Sequence, residues 1–326
     1  MRNVTHSSGA RTTLDGKYEL RELVEYVGDR DHTSLWHGVV NGAAGFTRDV
    51  AIRRLPVAVT ARHEALRGAA IEHANITRVY DVSRDDVGYL YLIMEWIDGV
   101  SLGEMTRGAH HLGLRLPWPI VGCIGVGALH GLAAGHARLD AWHEPDPAIH
   151  GHVSERSLLV DRRGVVHLTP FGLAPPSPAP LTIADDLRDL AGSLWDALAS
   201  GPAVVGDDDA PPSPVRDVLA RALDGAYATA NAMARDLAGA LQRVPWLRGP
   251  QADTGDVVAE VQHALAWSPT EPYAVEALRG GHVVLVHLAP DALADARRLA
   301  DPDFPFDLSD MATGEHEPYE SYELRR

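Results

Sequence analysis

The sequence predicts an α+β chain: an antiparallel sheet first, a mainly helical half next, and an acidic α/β extension at the end. Three observations predict it. Between Lys17 and Trp96, short runs rich in β-branched and aromatic residues alternate with turn residues. From Ser101 onward, apolar residues recur at helical spacing. Residues 251–326 then carry 15 acidic and 5 basic side chains, a net of −10 within the whole chain's −16.

Residues 1–15 are polar and read as a flexible N-terminus. YELRELVEYV (18–27), SLWHGVV (34–40), DVAIRRL (49–55) and GYLYLIMEW (88–96) read as strands. ARHEALRGAAIEH (61–73) has helical composition and room for about three turns, so the sheet should carry one inserted helix. WPIVGCIGVGALHGLAAGHARL (118–139) reads as a long helix. RSLLVDRRGVVHLTPFG (156–172) reads as two short strands around a turn at Asp161–Gly164. DDLRDLAGSLWDALAS (185–200) is a helix with Leu187, Leu190, Leu194, Trp195 and Leu198 on its inner face. SPVRDVLARALDG (213–225) and ATANAMARDLAGALQRV (228–244) are further amphipathic helices, with Pro/Ser and Asp/Pro clusters at 175–180 and 207–214 as separators. In the extension, DTGDVVAEVQHALAW (253–267) suits a helix with Val257, Val258, Val261 and Leu265 inward. HVVLVHLA (282–289) suits a strand and PDALADARRLA (290–300) a short helix. The acidic tail, 301–326, reads as loosely ordered: either a solvated tail or a docking arm for a basic surface. No internal repeat is visible.

Composition narrows the function. Of 326 residues, 45% are apolar and 23% charged, as in a globular protein with a sizeable core. A net charge of −16 argues against general binding to a phosphate backbone, so no nucleic-acid partner is expected. Cys123 is the single cysteine, which excludes an intrachain disulfide and a cysteine-built zinc site. Lys17 is the single lysine, so chemistry that needs a catalytic lysine has one candidate. The first twenty residues hold no signal-peptide core. Pro117 to Ala137 lacks Asp, Glu, Lys and Arg, yet it holds five glycines and two histidines, and reads as a buried helix and not a membrane span. A cytoplasmic location is the expectation.

Five stretches then bear a resemblance. VAIRRL (50–55), EHANITRVYDV (72–82), LIMEWIDGVSL (92–102), IHGHVSERSLL (149–159) and TPFGLA (169–174) follow one another in the order of protein-kinase motifs. They are similar, in turn, to the third-strand VAIK, the stretch after the C-helix, the gatekeeper and hinge, the catalytic loop and the DFG motif. The chain therefore resembles bacterial Ser/Thr protein kinases over about 16–248. The resemblance implies a bilobal fold, with a small lobe over 16–96, a large lobe over 97–248, and the extension over 251–326. It also implies a nucleotide cleft lined by Gly28, Leu35, Ala51, Arg53, Glu64, Met94, Glu95, Trp96, Ile97 and Leu159, with Met94 as gatekeeper and Glu95–Ile97 as hinge.

Phosphoryl transfer asks a protein for positioning and charge neutralisation. Against the kinase pattern, the groups that supply these are replaced. In VGDRDHTSLW (27–36), Gly28 matches the first flap glycine, but Asp31 and Thr33 stand at the other two. Side chains there block a close backbone approach to phosphate, and Asp29 and Asp31 add like charge beside it. The lysine position holds Arg53, whose planar fork does not replace a compact ammonium. Glu64 matches its partner, so an Arg53–Glu64 pair is expected to brace the small lobe. In the catalytic loop, His150 is kept and Gly151 replaces arginine. His152 replaces the base aspartate, and Ser157 the metal-binding asparagine. DFG reads Pro170-Phe171-Gly172, and proline has no side-chain oxygen for magnesium. The segment after it is short and has no A-P-E. Asp186 matches the aspartate that braces the catalytic loop in kinases.

This pattern implies a catalytically inactive kinase-like protein, a pseudokinase, acting as a binding, scaffolding or allosteric signalling module. No catalytic residue and no metal ligand is expected. No cofactor is required, and any ATP binding would be weak and metal-independent. The natural partner is another protein, such as an active kinase or signalling protein. The alternative is a residual or atypical ATP-dependent Ser/Thr kinase or nucleotidyl transferase, with Arg53, Glu64 or nearby aspartates in new roles. The pairs His110–His111 and His150–His152 invite a zinc reading but lack a third ligand at a persuasive spacing.

Overall fold

The structure is a computed structural model. It describes residues 13–27, 33–55, 66–85, 88–111, 115–140, 142–173, 177, 179–200, 210–266, 273–276 and 284–287. The chain divides into two compact units, Met1–Ala266 and Trp267–Arg326.

The first unit opens with a six-stranded antiparallel sheet. Its strands are β1 (Thr13–Leu14), β2 (Tyr18–Val27), β3 (Thr33–Asn41), β4 (Thr47–Leu55), β5 (Val79–Arg84) and β6 (Leu90–Glu95). Their order across the sheet is β1-β2-β3-β4-β6-β5. Successive side chains of a strand point to opposite faces. On β4 and β6, both faces are apolar. Val50, Ile52, Tyr91 and Ile93 gather on one, and Ala51, Leu55, Leu90, Leu92 and Met94 on the other. The second face is the one expected to roof a nucleotide cleft. Of the helix anticipated over 61–73, residues 66–69 are helical and 71–73 are not; 56–65 lie outside the described residues.

A three-stranded sheet follows, built from β7 (Gly99–Ser101), β8 (Leu158–Asp161) and β9 (Val166–Leu168). The turn expected at Asp161–Gly164 joins β8 to β9. Gly164 takes the left-handed conformation there at φ +78°, and its α-carbon lies so close to the Gln251 carbonyl that a Cβ would sit 2.0 Å from that oxygen. The helices of this half are α1 (Leu102–His111), α2 (Trp118–His136), α3 (Ile183–Ala199), α4 (Ser213–Leu223), α5 (Ala230–Leu241) and α6 (Pro250–Ala266).

α2 is the axis of the large lobe. By length and composition it is apolar enough to cross a membrane, but here Ile120, Val121, Ile124, Ala128, Leu129 and Leu132 are buried within the lobe. Its glycines let neighbours close in: a Cβ on Gly125 would meet Leu194 of α3 at 2.7 Å and Leu237 of α5 at 2.9 Å. α3 starts at a capping box. The Thr182 hydroxyl accepts the Asp185 N–H, and the Asp185 carboxylate accepts the Thr182 N–H. Thr229 caps α5 in the same way on one side.

Two expectations need correction. Leu187, Leu190 and Leu194 are buried on α3, but Trp195 is 40% exposed: the buried stripe runs through Ala191, Leu194 and Ala197 and leaves position 195 beside it. The boundary expected at 248–251 also falls elsewhere. α6 belongs to the first unit: Val258 and Val261 are buried in the same core as α2 and α3, and Leu265 is exposed. In the second unit, β10 (Tyr273–Glu276) pairs antiparallel with β11 (Val284–His287), inside the stretch expected to be a strand. The helix expected over 290–300 and the tail 301–326 lie outside the described residues, as do 1–12.

Val258→Ala is therefore expected to lower the stability of the whole first unit by about 2 kcal/mol, the loss of two buried methyl groups plus a small cavity. The check is urea unfolding followed by far-UV circular dichroism, where a single shifted transition is expected.

Candidate functional site

The site is built on residues 149–172, between the β7–β8–β9 sheet and the start of α3. Asp186 lies in the first turn of α3 and is fully buried. Its carboxylate accepts the main-chain N–H groups of His150 and Gly151 at 2.8 and 2.7 Å. His136, in the last turn of α2, places Nε2 2.9 Å from the same carboxylate. A helix N-terminus favours negative charge, and two charge-assisted N–H bonds satisfy most of what burial takes from it. Gly151 stands at φ +71°, a conformation that suits glycine and lets two successive N–H groups aim at one carboxylate. The brace read from sequence is in place.

His150 is also fully enclosed. Its Nε2 lies 3.2 Å from the Thr169 carbonyl, and its ring meets Phe171 edge-on at 5.2 Å. Burial pushes the imidazole down to about 4, against the opposing pull of Asp186. This histidine is a strut between loop and strand and not a free base.

The positions of catalytic and metal groups are occupied differently. His152 is exposed. Ser157 is buried, and its hydroxyl closes a turn: it accepts the Ser154 N–H at 2.8 Å and donates to the Ser154 carbonyl at 2.9 Å. Pro170 is buried between Thr169, whose N–H binds the Ser157 carbonyl, and Phe171. A divalent cation such as magnesium wants carboxylate or amide oxygens. A hydroxyl committed to its own turn and a proline ring do not fit it. Among the described residues, no three His, Cys, Asp or Glu side chains gather to hold a metal. His110 is exposed, and the side chain of His111 lies outside the described residues.

The helical turn at 66–69 sits directly on this motif. A Cβ on Gly68 would lie 2.0 Å from the Phe171 carbonyl oxygen. Here main chain rests on main chain, a contact open only to glycine. Beside it, Arg67 and Arg138 both bond the Asp146 carboxylate, tying the small-lobe turn to the loop after α2. Those two arginines hold the Asp146 carboxyl below its usual range, Arg138 more strongly. Sequence reasoning missed Arg67, Gly68, Asp146 and His136. No local pattern in the sequence marks these four residues, whose contacts join distant parts of the chain.

Leu35, Ala51, Met94 and Trp96, four of the residues expected to line a cleft, share one apolar cluster. Leu173, just past Pro170-Phe171-Gly172, packs into the same cluster. Trp96 also stacks at a tilt on His37, ring centres 4.4 Å apart. Arg53 is partly buried on β4, opposite Leu35 on one side and Leu92 on the other. Glu95 and Ile97 are partly buried in the hinge, and Leu159 is partly buried on β8 outside the cluster. Gly28 and Glu64 lie outside the described residues, so the Arg53–Glu64 pair does too.

No protein-family model matches the chain. Among curated proteins it is similar to the serine/threonine-protein kinase PrkC of Bacillus subtilis, 28% identical over 117 residues. It is also similar to CPE1738 of Clostridium perfringens, described as a probable serine/threonine-protein kinase, 29% identical over 116 residues. Each match covers 35% of this chain and 15% of the relative's length. Among solved structures, the PknI kinase domain of Mycobacterium tuberculosis superposes with a TM-score of 0.53 at 18% identity, over 72% of this chain and 100% of that one. A mutant form of the same domain gives 0.52 at 20% identity, over 72% and 99%. The fold is that of a protein-kinase domain. The chain carries a kinase-like domain similar to those of bacterial Ser/Thr kinases.

Asp186→Ala leaves the buried His150 N–H and the half-buried Gly151 N–H without their acceptor and is expected to cost about 3 kcal/mol in urea unfolding. Stability should also fall on acidification. An unfolded histidine takes up a proton near its usual value of about 6.5, while folded His150 resists until about 4. Unfolding free energy is thus lost progressively between those values as pH falls, and His150→Gln should flatten that part of the profile.

Proposed function

We propose that this chain is a catalytically inactive kinase-like protein, a pseudokinase, which works as a binding, scaffolding or allosteric signalling module. The observation that carries the reading is the pairing of Ser157 and Pro170: one hydroxyl is used up in a turn, and the other side chain has no oxygen at all. Phosphoryl transfer depends on metal ions that neutralise the developing charge, and these are the two positions from which kinases hold them. His152 alone, exposed at the base position, adds neither metal nor phosphate positioning.

The frame supports the same reading. Asp186, His150 and Phe171 keep the loop and motif in place, and Gly68 seats the small-lobe turn against them. Kinase shape without kinase chemistry leaves surfaces as the working parts. The expected partner is another protein, such as an active kinase or signalling protein. No cofactor is needed. Any ATP that enters the cleft is expected to bind weakly and without a metal, because phosphate charge would meet no metal ligand at 157 or 170.

Titration calorimetry with ATP, run once in magnesium and once in EDTA, tests this, alongside a transfer assay with labelled ATP. Equal weak heat in both, or none in either, with no transfer, is the expected result. Magnesium-dependent ATP binding accompanied by transfer of a phosphoryl or nucleotidyl group would overturn the reading.

A further inference from the structure

A cavity of about 430 Å3 opens in the large lobe between α2, the end of α5 and the first turn of α6. It shares no residue with the nucleotide cleft. Its size lies within the usual range for small-molecule sites. None of the described residues that line it is Asp, Glu, Lys or Arg, in a chain that is 23% charged. Val126, Val166, Leu241 and Trp246 supply an apolar wall with one aromatic face. His130, Gln242 and Gln251 are exposed and stand at its mouth.

The polar groups inside are largely committed to the fold. The Asn75 side-chain amide donates to the Val166 carbonyl at 2.8 Å, and the Thr254 hydroxyl donates to the Pro250 carbonyl at 2.7 Å. A charged ligand would be desolvated there with no opposite charge in the wall, which is costly. Asp253 stands close by, with its carboxylate accepting the Leu247 and Arg248 N–H groups. Burial, with a smaller push from that carboxylate, raises the Cys123 thiol to about 11, so the wall carries no thiolate.

We propose that this cavity is a binding site for an uncharged, largely apolar ring compound, with Trp246 as its aromatic wall and α6 as one side. The site is independent of nucleotide binding. Because α6 contributes Pro250, Gln251 and Thr254 to the wall, an occupant also fastens α6 to α2 and α5.

Three compounds with one ring system separate the alternatives: indole (neutral), indole-3-acetate (anionic) and tryptamine (cationic). Saturation-transfer NMR on the full chain, at equal concentrations, reads binding of each. Indole is expected to give a signal roughly fivefold stronger than either charged compound, and to raise the unfolding midpoint with concentration. Ala238→Phe, which fills the cavity from α5, is expected to abolish both effects. If that variant does not fold, Trp246→Ala, which removes the half-buried aromatic wall, serves as the second block. Indole binding that survives the block, charged compounds that bind as well as indole, or no binding by any of the three would overturn the proposal.

Discussion

The kinase-like half hangs on one buried carboxylate. Asp186 accepts two successive main-chain N–H groups and faces His136, and this fixes where residues 150 and 151 run. His150, held there, reaches the Thr169 carbonyl and the edge of Phe171. Phe171 in turn fills the space that Gly135 leaves on α2, where a Cβ would come within 2.4 Å of the ring. Its carbonyl is the surface on which Gly68 lies. A chain of contacts thus runs from the first turn of a large-lobe helix to the helical turn of the small lobe, and each link needs the one before it. A buried carboxylate in such a network is tolerable only when its hydrogen bonds are made, and these are.

That dependence separates the residues that match the kinase pattern from those that depart from it. Asp186 and His150 are buried and hydrogen-bonded and Phe171 is packed in the core, so replacing any of them costs folding energy whatever the protein does. His152 is exposed, and a change there costs the fold little. Ser157 and Pro170 are buried but have been absorbed: the hydroxyl satisfies its own turn, and proline asks for no partner. The frame is a requirement of stability, whereas the chemistry is a requirement only of activity. The two can part without disturbing the packing.

Much of this was legible in the sequence. Runs rich in β-branched and aromatic residues marked the strands of the sheet, while the two apolar faces of β4 and β6 emerge only from the packing. Helical spacing marked α3, and the motif order led to Asp186. Other parts were hidden for physical reasons. The charge shift near 251 looks like a domain boundary, yet Asp256 and Glu260 merely face outward on a helix whose Val258 and Val261 face inward. Acidity marked a surface, and the packing ran on to Ala266. Trp195 looked like core because it is large and apolar, but it stands one step off the buried stripe. The Arg67–Asp146 contact joins residues 79 positions apart, and no local pattern reports it. Gly68 was the least legible, because a glycine in a helical stretch gives no sign of what lies against it.

That glycine has a mechanical meaning. Helices that roll or slide over a neighbour usually do so on side chains, which can change rotamer and so offer several resting places. Here a backbone rests on a backbone, with no rotamers at the point of contact. Such a joint behaves as a seat and not a bearing: the turn at 66–69 either sits in it or leaves it, with no intermediate stop. The salt link from Arg67 to Asp146 stands beside that seat like a latch. A part held this way is suited to presenting one fixed shape to whatever reads its surface.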